Sequence, residues 1–393
     1  RRTSSAASDV YKRQVYNKAF ISACISVFIP LFVWGNIIAF LPWLVRSLQL
    51  PDSTLGFLFM VFALNQILVS QITGRIIIPK IGSKKTLIIG MLIFATSPFF
   101  FGLASNNIFF IISSFPTGIA MGMIFPTCTA ITGLVEEKTK KILQPLFGAF
   151  LSMGFLFGAL SSGTFQYYNF YPPIVICSLS VFVLSGIFLI FYFGLPSAYE
   201  NFQKTEKFRL PENKILLFGL YGFVFMATVG IIGDWSALWF ARDLKTTALV
   251  ASLAVTAWGA GETIGRLSGG KLIEYTNQKF VGAYLGIIGC IIFFLCVLTF
   301  NAYLILFGIL LFSFCSANFY PVVIRYALSQ TTESLNTTAS NLVTMSMAGF
   351  LIGPAIVGYS ASKMGLTFNV QILCLIWVLN SLALLFTTRN ITN

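Results

Sequence analysis

Twelve long apolar runs separated by short polar breaks divide the chain. They cover residues 19–45, 54–78, 86–104, 108–134, 145–166, 172–195, 215–240, 248–272, 280–299, 302–328, 338–362 and 368–387. Each is about as long as a helix that crosses a bilayer, and nearly free of charge. A segment in lipid must satisfy its own backbone hydrogen bonds, so helices are expected. The runs are too long for barrel strands and do not alternate as such strands do. The longest polar stretch, 196–214, separates two six-helix halves, 15–195 and 215–393. It is expected to be a solvated cytoplasmic linker with some short helix.

The opening residues 1–14, RRTSSAASDVYKRQ, share no character with the rest of the chain. They resemble a translated sequencing-adapter fragment and are set aside as a non-native segment, so the true start is expected to be missing. The first apolar run is too long and too interrupted for a cleaved secretory signal.

Composition narrows the class. Of 393 residues, 57% are apolar, 16% aromatic and 9% charged, and none is histidine. A soluble domain carries roughly 25% charged residues, so this chain cannot cover a water-facing surface. Seven cysteines lie within apolar runs without a CxxC pair and read as small core residues. No metal site, cofactor or catalytic group is expected. There is no histidine and no metal-spaced cluster. The absence of GxxxxGK[ST] argues against ATP drive.

The net charge of +13 reads as positive residues held on one side of a bilayer, with no nucleic-acid partner implied. From residue 15 onward, with the N-terminus placed inside, seventeen Lys and Arg face the cytoplasm. Four face the other side: Arg46, Arg242, Lys245 and Lys363. That split predicts cytoplasmic termini and an even number of crossings.

The halves repeat each other. QITGR at 71–75 matches ETIGR at 262–266, and Phe125-Pro126 matches Tyr320-Pro321. The pattern GFLxGxxxxG occurs at 154–163 in the fifth run and again at 349–358 in the eleventh. Six helices separate the members of each match, so both halves insert in the same orientation. That predicts a pseudo-two-fold axis along the membrane normal. Gly261, Gly265 and Gly269 recur every four residues, as do Gly154 with Gly158 and Gly349 with Gly353. They read first as close-packing ridges between helices, ahead of solute contact.

Twelve spans, two parallel six-helix repeats and a basic central loop resemble the major facilitator superfamily. GDWSALWF at 233–240, GRLSGGKLIEY at 265–275, NFYPVV at 318–323 and GFLIGPAIVGYSASKMGL at 349–366 sharpen the likeness. They resemble a poorly characterised bacterial inner-membrane subgroup distantly akin to fucose permeases. The resemblance implies an all-α membrane protein of twelve helices in two bundles, in the inner (plasma) membrane, able to work as a monomer.

Departures qualify the resemblance. The loop after the second helix, Gly74-Arg75-Ile-Ile-Ile-Pro79-Lys80-Ile-Gly82-Ser83-Lys84-Lys85, lacks the family's acid, and its glycines are one residue too far apart. Its second copy keeps Glu274 but has Asn277 for a glycine. The family pattern makes Arg75, Lys80, Lys84 and Glu274 gating candidates. The antiporter Gly-Pro is missing from the fifth helix, which has Gly158-Ala159, and occurs only as Gly353-Pro354.

An ionisable group inside a span costs at least about 2.5 kcal/mol and calls for a reason. Asp234, Glu262 and Arg266 are the clearest cases. Asp234 either binds a proton or a cationic solute group, or makes a fixed hydrogen bond to a helix end or the Arg242 region. Glu262 is the second proton-coupling candidate. Glu262 and Arg266, four apart on one face, also read as a structural or gating pair.

In the superfamily the first, fourth, seventh and tenth helices line the cavity. That implies the set Trp34, Asn36, Thr127, Thr129, Asp234, Trp235, Asn318 and Tyr320, each of which can equally serve packing. Trp43, Trp239 and Trp377 are expected at interfacial belts or facing lipid. The function implied is secondary active transport of a small polar solute by alternating access, coupled to protons or another ion. The alternative is a solute sensor with the same fold and no turnover.

Overall fold

The computed structural model describes residues 2–141, 143–196, 213–330 and 335–389. Most of the expected linker, 197–212, lies outside the described residues. The apolar runs form helices α1 (Gln14–Leu48), α2 (Asp52–Ile81), α3 (Ser83–Gly102), α4 (Asn107–Thr139), α5 (Gln144–Tyr167) and α6 (Pro172–Phe193). Next come α7 (Asn213–Arg242), α8 (Ala248–Tyr275), α9 (Phe280–Leu298) and α10 (Ala302–Gln330). The last apolar stretch, Asn341–Thr387, is 47 residues long. That is about 70 Å of helix, twice what a bilayer needs. It breaks at Gly365, whose φ of 79° lies in the left-handed region that glycine adopts freely. The break yields α11 (341–364) and α12 (366–387). Among the described residues, twelve membrane helices therefore form two six-helix bundles, α1–α6 and α7–α12, related by a pseudo-two-fold axis along the membrane normal. The start of α1 and the end of α12 lie on one face, here the terminal face; the opposite face is the distal face.

The repeated glycine pattern shows the symmetry at atomic level. A Cβ on Gly154 or Gly158 would clash with the carbonyls of Phe28 and Phe32, so α5 presses against α1. One on Gly349 would clash with the Phe223 carbonyl, and one on Gly353 would meet Ala227, so α11 presses against α7 in the same way. The final glycine of each copy crosses between bundles. Gly163 abuts Ser252 of α8, and Gly358 abuts Gly56 of α2. Another equivalent pair of interfaces takes its glycines from opposite partners. Gly118 and Gly122 of α4 meet the Phe62 and Gln66 carbonyls of α2, whereas Gly261 and Gly265 of α8 meet the Leu310 and Phe314 carbonyls of α10. Lipid tails provide no hydrophobic drive for pairing, so close backbone approach supplies the attraction.

Two tryptophans depart from expectation. Trp239 and Trp377 are buried in the C-terminal bundle and do not face lipid. Trp239 Nε1 donates to Thr367 Oγ1 at 2.9 Å, and Trp377 Nε1 donates to the Gly286 carbonyl at 3.2 Å. A buried indole is tolerated where its N–H finds an acceptor. Trp43 is partly buried, edge-on to Tyr171 at the distal rim.

Replacing Gly349 with alanine is expected to force α11 off α7 and lower the melting temperature of the purified protein, by overpacking on the order of 1–3 kcal/mol. Gly270→Ala is the control, because a Cβ there meets nothing within 4 Å. Equal melting temperatures for the two variants would contradict the close-packing account.

Candidate functional site

A five-residue π-helical turn, Val229–Gly233, interrupts α7 immediately before Asp234. Such turns shift the register of the side chains beyond them and recur at functional sites. Asp234 is 3% exposed and lies between the two bundles. Trp34 Nε1 of α1 donates to Asp234 Oδ1 at 3.0 Å. Asp234 Oδ2 is buried without a hydrogen-bond partner among the described residues.

Aromatic rings enclose this pair. Trp34 stacks on Phe62 at 4.9 Å and 21° and meets Phe59 edge-on at 6.2 Å. Phe59 approaches Trp235 at 5.7 Å, and Phe62 meets Phe350 at 6.1 Å. Four helices from both bundles, α1, α2, α7 and α11, thus supply the walls. A buried carboxylate with one unpartnered oxygen among aromatic side chains can accept a proton or a cation. Among the described residues no three His, Cys, Asp or Glu gather closely enough to hold a metal ion.

The bundles also touch nearer the two faces. On the distal side, Arg242 of α7 pairs through Nη1 with Asp52 Oδ2 of α2 and through Nε with Asp243 Oδ1 at 3.0 Å. Asp243 Oδ2 accepts from the Thr367 backbone N–H at 2.9 Å and from its hydroxyl at 3.0 Å, capping the start of α12. Toward the terminal face, Arg266 Nη2 pairs with Glu262 Oε1 at 3.0 Å, while its Nη1 donates to the Gly148 carbonyl of α5 at 2.8 Å. Gln71 Nε2 of α2 donates to Thr344 Oγ1 of α11 at 3.1 Å.

Of the residues singled out in the sequence, Trp34, Asp234 and Trp235 come together here, and Glu262 and Arg266 form their pair. The others have different surroundings. Asn36 Nδ2 donates to the Gly158 carbonyl and to Ser161 Oγ, bracing α1 against α5. Thr127 bonds back to the Met123 carbonyl, and exposed Thr129 to the Phe125 carbonyl. Asn318 donates to the Gly265 carbonyl inside the α8–α10 interface. Tyr320 stacks on Phe225 at 5.6 Å. Lys84 Nζ donates to the Phe191 carbonyl within its own bundle, at 2.7 Å. Arg75, Lys80 and Glu274 are exposed and make no ion pair among the described residues.

Sequence reasoning missed Phe59, Phe62 and Phe350 because their helices are not among those the resemblance assigns to the cavity. It missed Asp52 because an acid at a helix start is ordinarily only a dipole partner.

The family model for the Major Facilitator Superfamily matches residues 23–232, just over half of the chain. The membrane protein MosC of Rhizobium meliloti is 23% identical over 354 residues, covering 89% of this chain and 85% of that protein. Multidrug resistance protein 2 of Bacillus subtilis is 27% identical over 174 residues, 44% of this chain and 43% of that protein. Among solved structures, a bacterial homologue of the human lysosomal transporter Spinster, inward-facing and occupied, superposes with a TM-score of 0.72. Its identity is 14%, over 94% of this chain and 96% of that one. The nucleoside transporter NupG gives 0.69 at 13% identity over 95% of this chain and 100% of that one.

The Asp52–Arg242 pair joins the bundles at the distal face. Spin labels at Thr54 and Thr246 are expected to report a longer, broader distance distribution in Arg242→Ala than in the otherwise identical protein. The exchange Asp52→Arg with Arg242→Asp should shorten it again. An unchanged distribution in Arg242→Ala would mean that the ion pair does not hold this face shut.

Proposed function

The chain belongs to the Major Facilitator Superfamily, and from that premise we propose that it is a secondary active transporter of a small polar solute, driven by protons through alternating access. That it is a multi-pass membrane transporter of the major facilitator fold follows from its family and its twelve helices. The relatives' names range from multidrug resistance to nucleoside transport. The solute class must therefore be read from the site.

The observation that carries the proposal is the Asp234 carboxylate, buried between the halves with one oxygen bonded to Trp34 and the other open. An isolated charge away from water is costly, so neutralising it by a proton or a cation is favourable. A group on the seam between two rocking bundles can meet each aqueous side in turn. On this reading, Asp234 exchanges a proton, and the Asp52–Arg242 and Arg266–Gly148 contacts break on opposite strokes. Glu262 stays paired with Arg266 and is a gate element before it is a proton carrier. Arg75, Lys80, Lys84 and Glu274 lie at the terminal face, which the positive-residue count assigns to the cytoplasm. A single chain in the bacterial inner membrane suffices.

A thermal-shift screen of sugars, organic acids and amino compounds supplies a solute for proteoliposomes. There, Asp234→Asn is expected to lose accumulation driven by a pH gradient while still exchanging solute across the membrane. Full gradient-driven accumulation by Asp234→Asn would remove Asp234 as the coupling group. Solute binding without any exchange by the unmodified protein would favour a sensor.

A further inference from the structure

We propose that the solute held at Asp234 is a protonated primary or secondary amine on an apolar body, and that the indole N–H of Trp34 occupies the amine's place in the closed protein. The proposal deepens the transport reading and rests on it only for the step from binding to movement.

Charge is the first support. Asp234 is buried and faces no cation among the described residues. Arg242, eight residues along α7 and thus about 12 Å away along the axis, is engaged by Asp52 and Asp243. Arg266 is engaged by Glu262 and the Gly148 carbonyl. With the Asp234 proton released, the site carries one uncompensated negative charge. An anionic solute would be repelled by it.

The hydrogen-bond geometry is the second support. One carboxylate oxygen receives a single neutral donor, the Trp34 indole, at 3.0 Å, and the other receives none. A charged N–H donor forms the stronger bond and can displace a neutral one. An ammonium with two N–H groups can also satisfy both oxygens. The rings of Phe59, Phe62, Trp235 and Phe350, packed on Trp34 and on one another, supply aromatic and apolar surface for a cation and its body. A quaternary ammonium matches the charge and the rings but brings no N–H, so it cannot replace the indole.

The displacement has a mechanical consequence. Trp34 and Asp234 belong to different bundles, so an amine that takes the carboxylate from the indole removes a central hydrogen bond between the halves and leaves only ring contacts such as Phe59–Trp235 and Phe62–Phe350 beside it. The empty protein is held more firmly at this level than the occupied one.

The test is isothermal titration of the full chain in nanodiscs with four probes of one shape: 2-phenylethylammonium, its N-trimethyl analogue, 2-phenylethanol and 3-phenylpropionate. The primary ammonium is expected to bind at least about tenfold more tightly than the other three. Asp234→Asn should abolish that preference. Trp34→Phe, which keeps a ring but removes the competing donor, should bind the ammonium about tenfold more tightly than the unmodified protein. No ammonium binding at millimolar concentration would overturn the proposal. So would equal binding of the trimethyl analogue, preference for the alcohol or the carboxylate, or unchanged or weaker binding by Trp34→Phe. The two readings fail separately. Amine binding as expected without exchange in proteoliposomes would sink transport and leave this assignment standing. Transport of another solute class without amine binding would do the reverse.

Discussion

Where water is absent, helices are held together by how closely their backbones approach, and in this protein glycine sets that distance. Carbonyls of α1 and α7 lie where Cβ atoms of Gly158 and Gly349 would otherwise stand. Replacing lipid with a neighbouring helix gains little hydrophobic energy, so dispersion contacts and interhelical hydrogen bonds must stabilise the bundle. Each half becomes a rigid unit because its pairings are short-range and dense. The seam between halves uses glycine as well, with Gly56, Gly163, Gly259 and Gly358 against the opposite bundle, supplemented by polar contacts.

Those polar contacts fall at three depths. An ion pair closes the distal side, an indole-to-carboxylate bond lies at the centre, and an arginine-to-carbonyl bond with an amide-to-hydroxyl bond lies toward the terminal side. Each joins one side chain from one bundle to one group in the other. Such contacts can be broken singly without unpacking either bundle, which is what two rigid bodies need if they are to rock. The central contact is the one whose loss leaves a buried charge, so a bound ion or solute has most influence there.

Symmetry organises the scaffold but stops short of the chemistry. The glycine pattern recurs with the same packing partners in both halves, whereas Asp234, Glu262 and the π-turn before Asp234 have no acidic or π-helical counterparts at the matching positions among the described residues of α1 and α2. Gln71 stands where Glu262 stands in the second copy and reaches across to Thr344 without forming an ion pair. The scaffold thus supplies two equivalent bodies, and the C-terminal half supplies the central carboxylate and the Glu262–Arg266 pair.

The twelve spans, the repeat and its parallel orientation were legible in the linear chain. Crossing lipid requires apolar length, and close packing requires glycine at helical spacing; both are one-dimensional signals. Asp234 stood out in the same way, as a charge inside an apolar run. What surrounds it was decided by tertiary structure alone. Trp34 and Asp234 are 200 positions apart, and Asp52 and Arg242 are 190 apart. Their meeting depends on how each helix is rotated and how the two bundles are set against each other. The same cause buried Trp239 and Trp377 beside acceptors on other helices and turned Asn318 into the α8–α10 interface. Hydropathy along a chain reports whether a residue tolerates lipid; which neighbour it faces there is a property of the assembled bundle.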